Sequence, residues 1–131
     1  MELIDKGDFQ AAEAKFQRAI TCDGKFSPAY AGLALVEAHK ATSQKDPQVS
    51  AVYVGRAMDN LEKAEDLAKS EEHKFIYYVT AIRVYTILKP EDWLDKCEDL
   101  SEDALDLEDV DFNRLPYYQG KEAVHYFMGN A

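Results

Sequence analysis

From Phe9 to Ile20 the apolar residues Phe9, Ala12, Phe16, Ala19 and Ile20 recur at spacings of three and four, while Gln10, Glu13, Lys15, Gln17 and Arg18 take the positions between. That period puts the apolar set on one stripe of an amphipathic helix. Gly7-Asp8 supplies the break and the cap that start it. Asp23-Gly24-Lys25 closes it after Thr21 or Cys22, with Gly24 suited to a left-handed stop. Ala12 and Ala19 leave room for a neighbouring helix to approach between Phe9 and Phe16.

The same kind of pattern continues along the chain. Ser27-Pro28 opens a second helix, with a capping hydroxyl and a proline whose missing amide costs nothing in the first turn. Tyr30, Leu33, Ala34 and Ala38 form its buried stripe. Ala41 to Ser50 is polar, contains Pro47 and reads as a long loop. A helix from Ala51 to Lys69 carries Ala57, Leu61 and Ala64 inward and Glu62, Lys63, Glu65, Asp66 and Lys69 outward. Ser70 then caps a helix from Glu71 to Leu88 that is apolar nearly all round, and Lys89-Pro90 breaks it. Glu91 to Leu107 forms the next helix, with Trp93, Leu94, Cys97, Leu100, Ala104 and Leu105 inward. After a turn at Asp111–Leu115, Pro116 starts a last helix reaching Asn130.

The order Gly7, Phe9, Ala12, Phe16, Ala19 resembles the second half of a tetratricopeptide repeat (TPR), and Tyr30, Leu33 and Ala34 resemble the first half of the next one. Ala57, Leu61 and Ala64 repeat the spacing of Ala12, Phe16 and Ala19 about 45 residues on. Cys97 and Ala104 keep the small-to-small spacing, while Ser101 departs from it. Met128, Gly129, Asn130 and Ala131 look like the middle of the family's first helix. The resemblance implies an all-α, TPR-like right-handed superhelix of antiparallel helix pairs, with about six helices in one domain over residues 1–131. It also implies a segment of a longer repeat protein. The clamp residues that some TPR proteins use for a terminal carboxylate have no counterpart at Ala31 or Leu35.

Composition narrows the partner. The chain has 131 residues, 47% of them apolar, with four prolines and six glycines, which suits a helical core. A formal charge of −10 and a pI of about 4.7 argue against nucleic acid or an anionic membrane and for a basic or neutral protein partner. No apolar run is long enough to cross a membrane and no secretory signal is evident, so the expected location is cytoplasmic. Cys22 and Cys97 are expected as buried free thiols, although spacing alone leaves a disulfide open.

Catalytic and metal chemistry find little support. His39, His73 and His125 are scattered, the first two reading as exposed helix ends and His125 as a packing or groove residue. The acidic run near Asp106, Glu108, Asp109 and Asp111 lacks the glycine of a calcium loop. No glycine-rich phosphate loop or nucleophile motif is present, and Gly55 and Gly120 read as points of close helix contact. No cofactor is expected.

The family resemblance therefore implies a non-enzymatic protein- or peptide-binding scaffold. Its concave groove would be lined by Ala31, Leu35, His39, Phe75, Tyr78, Ile82, Tyr85, Tyr126 and Asn130. A basic partner would be steered by an acidic helix face that includes Glu91, Asp95, Glu98, Asp99, Glu102 and Asp103. Two rivals remain open at this stage. One is self-association through unpaired terminal helices, using Leu3, Ile4, Phe127 and Met128. The other is a closed small-molecule pocket lined by Phe75, Tyr77, Tyr78 and Tyr85.

Overall fold

The computed structural model describes Ile4, residues 7–107, Val110 and residues 122–129. The described chain is all-helical, with α1 Phe9–Cys22, α2 Ser27–Ser43, α3 Pro47–Leu67, α4 Glu71–Leu88, α5 Trp93–Leu105 and α6 Glu122–Gly129. The connections from α1 to α5 are short, three to four residues each, so successive helices stay neighbours. The packing follows a fixed order. Helices α2, α4 and α6 touch in succession; α1 lies on α2, α3 on α2 and α4, and α5 on α4 and α6.

Helix α2 is the centre of the molecule because its sequence leaves no polar face except Glu37 between Ala29 and Ala38, and every residue of that span is buried. Helix α4 repeats the situation on a second front. Its Tyr77, Ala81 and Val84 join α2 and α3, while Phe75, Ile76 and Val79 pack with Ala104 of α5 and Val124 of α6. Fully buried side chains such as Leu35, Val36, Phe75 and Ile82 each contribute about 1.5–3 kcal/mol of burial free energy. Helix α1 packs tightly on α2 at Gly32, where an added Cβ would stand 2.3–2.6 Å from three ring atoms of Phe16.

Several local expectations change. The Ala41–Ser50 loop shrinks to Gln44–Asp46, because Asp46 caps α3 through Gln48 N at 2.9 Å and Pro47 fits its first turn. Helix α3 therefore starts at Pro47, not Ala51. Gly24 is not left-handed; α1 ends on an extended Asp23, whose carboxylate accepts from Lys25 N at 3.0 Å. Ser27 is not a cap but the first residue of α2, and its hydroxyl donates at 2.7 Å to Ala64 O, one of the carbonyls that the end of α3 leaves without an amide. Helix α5 begins at Trp93 because Asp92 is left-handed (φ 60). Gly55 faces open space rather than a neighbouring helix, and Gly120, the turn at 111–115 and the start of the last helix at Pro116 lie outside the described residues.

Candidate functional site

The groove expected from the repeat resemblance is not an open surface. Ala31, Leu35, Phe75 and Ile82 have no exposed area and belong to the core, since α2 and α4 are covered on the faces these residues occupy. His39 is half-buried and stacked on Phe9, with ring centroids 4.8 Å apart, so it is not an exposed helix end. His73 is likewise half-buried, set edge-on against Phe26. Tyr126 on α6 is 67% exposed and His125 beside it is exposed, whereas Asn130 lies outside the described residues. Of the four aromatics proposed for a closed pocket, Phe75 and Tyr77 are buried in two different core clusters, and Tyr78 and Tyr85 are half-buried.

The expected self-association face is also engaged within the chain. Ile4 is buried against Ala12 and the α2–α4 core. Phe127 and Met128 pack on Phe75, Ile76 and Val79, and the Arg83 guanidinium stands 4.8 Å from the Phe127 ring centre. Leu3 lies outside the described residues.

Tyr78 and Tyr85 survive as surface candidates. They lie two helical turns apart on α4, half-buried, on the strip of α4 between its contacts with α3 and α5. Helices α3 and α5 both pack on α4, and a carboxylate from each, Asp103 of α5 and Glu65 of α3, acts on Tyr78, so the two tyrosines mark the seam between those helices. From the α3 side Glu65 accepts a 2.5 Å hydrogen bond from the Tyr77 hydroxyl, and the Tyr77 and Tyr78 rings meet edge to face at 5.5 Å. From the α5 side Lys96 Nζ stands 5.7 Å from the centre of the Tyr85 ring. The phenols titrate high. Burial raises Tyr78, and Asp103, Glu65 and Glu71 add to it; burial and then Glu65 raise Tyr85. Tyr77 is pushed above its ordinary value by burial and by its hydrogen bond to Glu65. All three therefore stay neutral donors in an electronegative setting.

The outer wall of this seam is the acidic face of α5. Cys97 and Ala104 are buried, and the opposite side presents Asp95, Glu98, Asp99, Glu102 and Asp103, all exposed, flanked by Glu91, Asp92 and Asp106 at the ends. At about 100° per residue these carboxylates cover an arc of roughly 140°. None of them forms an ion pair among the described residues, where the pairs seen are Lys40–Glu13 and Lys74–Glu71. The last turn of α5 carries no basic residue, so Glu102 and Asp103 face the negative end of the helix dipole. Leu94, 54% exposed rather than inward as expected, borders the face. Trp93, the only tryptophan, stands at its start with Lys89 Nζ 5.6 Å from the ring centre. Glu108, Asp109 and Asp111 lie outside the described residues.

A second polar cluster sits where α1, α2 and α3 meet. Glu13 pairs with Lys40, and the Tyr53 ring has Lys40 5.8 Å and Arg56 5.5 Å from its centre. Beneath them Glu37 is 6% exposed, and its Oε2 has no hydrogen-bond partner among the described residues. Burial raises its carboxyl; Lys40 and Arg56 pull it down and Glu13 pushes it up.

Sequence reasoning picked out the acidic face and the two tyrosines but missed Glu65 and Lys96. Glu65 looked like any solvating residue of α3, and only its meeting with Tyr77 across the α3–α4 turn distinguishes it. Cys97 is buried, and burial raises its thiol, whereas Cys22 is exposed rather than buried; both are free. Among the described residues no group of three or more His, Cys, Asp or Glu is placed to hold a metal ion, and no helix is long and apolar enough to cross a membrane. Comparison with protein-family profiles, with curated proteins and with solved structures finds no match to this chain.

Proposed function

We propose that this chain is a non-enzymatic, TPR-like protein-binding module that docks a basic segment of a partner on the acidic face of α5. The repeat reading is supported by the packing order, in which α2, α4 and α6 form one row and α1, α3 and α5 lie against it. The docking reading rests on one observation: a broad carboxylate face lies opposite the buried stripe of α5 with no cation paired to it among the described residues. Like charges at helical spacing cost stability, and those in the last turn also oppose the helix dipole. A cationic partner relieves both costs and gains long-range attraction from the net charge of −10.

The test uses fluorescein-labelled deca-lysine, followed by anisotropy and by Trp93 emission. Neutralising Asp95, Glu98 and Glu102 together (D95N, E98Q, E102Q) is compared with neutralising Asp59, Glu62 and Asp66 on α3 (D59N, E62Q, D66N), which changes the net charge equally. Binding should weaken about tenfold or more for the α5 set and only slightly for the α3 set, and it should fall steeply between about 50 mM and about 500 mM NaCl. Equal weakening by the two sets would mean that the peptide senses only net charge, and the α5 face would lose its claim.

A further inference from the structure

We infer that the seam over Tyr78 and Tyr85 receives a single lysine or arginine side chain of the basic partner, and that Lys96 occupies this place in the unbound chain. The inference rests on the docking role of α5 and specifies where on that surface a cation is held by more than long-range attraction. A cation within about 6 Å of a tyrosine face is attracted by the ring quadrupole, and the attraction grows as the ring is desolvated. Lys96 Nζ, 5.7 Å from the Tyr85 ring centre, shows that the seam already accommodates an ammonium group.

The surroundings suit a second, better-held cation. Glu65 of α3, which accepts from the Tyr77 hydroxyl, and Asp103 of α5 both act on Tyr78, and Asp103 is itself a member of the acidic face. Glu71, at the start of α4, is already shared with Lys74 at 3.9 Å. Lys96 itself is exposed and makes no ion pair among the described residues, so its ammonium is held there by the ring and by general attraction alone. A flexible side chain held so loosely is readily displaced. Lys96 is then a tethered competitor: its presence lowers the apparent affinity for the partner's cation, and its removal raises it.

The experiment measures deca-lysine affinity for Tyr85→Leu, Tyr85→Phe, Lys96→Met and Lys45→Met. Tyr85→Leu keeps an apolar side chain but removes the π face, and it should weaken binding about threefold to tenfold. Tyr85→Phe keeps the face and should bind within about twofold of the parent. Lys96→Met should tighten binding about threefold or more, whereas Lys45→Met, an exposed loop residue with the same charge change, should alter it less than about twofold. Should Tyr85→Leu lose its helical circular dichroism, the two lysine variants carry the test. The seam is refuted if Tyr85→Leu binds as tightly as the parent, if Tyr85→Phe weakens as much as Tyr85→Leu, or if Lys96→Met is no tighter than Lys45→Met. Any of these results, together with a loss of affinity on neutralising Asp95, Glu98 and Glu102, removes the seam and leaves the α5 docking face standing. An unchanged affinity in that triple variant removes both.

Discussion

Reversing the charge of Glu102 should make the protein more stable while it makes the docking surface worse. Glu102 lies in the last turn of α5, three residues after Asp99 and four after Glu98, and is exposed. Each like-charged pair at this spacing costs about 0.2–0.5 kcal/mol, and a lysine at 102 turns both into attractions, the Glu98–Lys order being the favourable one. The helix end adds a further change of sign, worth about 0.3–1 kcal/mol for a charge in the last turn. After discounting for solvent screening at an exposed site, Glu102→Lys should stabilise by about 1–2 kcal/mol. For a chain of this length that raises Tm by roughly 3–10 °C. The assay is thermal unfolding by circular dichroism at about 20 mM and about 1 M NaCl. At the higher salt the Debye length shrinks to about 3 Å, and the gain should largely vanish. The same variant should bind deca-lysine more weakly than the parent. A melting temperature unchanged or lowered at low salt would refute the account of α5 as a face held at electrostatic cost.

Two predictions concern the core. Gly32→Ala places a methyl group against the Phe16 ring, so it should destabilise by about 1–3 kcal/mol in urea unfolding, and adding Phe16→Leu should recover part of the loss. Glu37 binds its proton more tightly folded than unfolded, so its contribution is most favourable below the ordinary value of 4.5 and is lost as pH rises through the higher folded value. Glu37→Gln should therefore gain stability relative to the parent as pH goes from about 4 to about 7 in urea titrations; a difference that stays constant or shrinks would show that burial does not disfavour this carboxylate.

Much of the helical order was legible in local sequence. The three-and-four spacing of Phe9, Ala12, Phe16 and Ala19 became α1, Ser70 capped α4 through His73 N, and the absence of a polar stripe on α4 matched its burial. The acidic face of α5 was equally plain, because carboxylates at helical spacing share one side whatever the helix packs against. Periodicity separates inside from outside only for a helix with two unlike faces. Helices α2 and α4 have none, so residues such as Leu35 and Ile82 fitted a groove wall and a core equally well on sequence grounds. The tertiary structure decided that question by covering both helices. It also brought together what sequence distance hides: Ser27 with the Ala64 carbonyl, Phe16 with Gly32, and Glu65 with Tyr77. Local pattern thus determined which segments are helical and where the charge lies. Which aromatic faces remain open to a partner depends on how neighbouring helices cover them, and only long-range packing determines that.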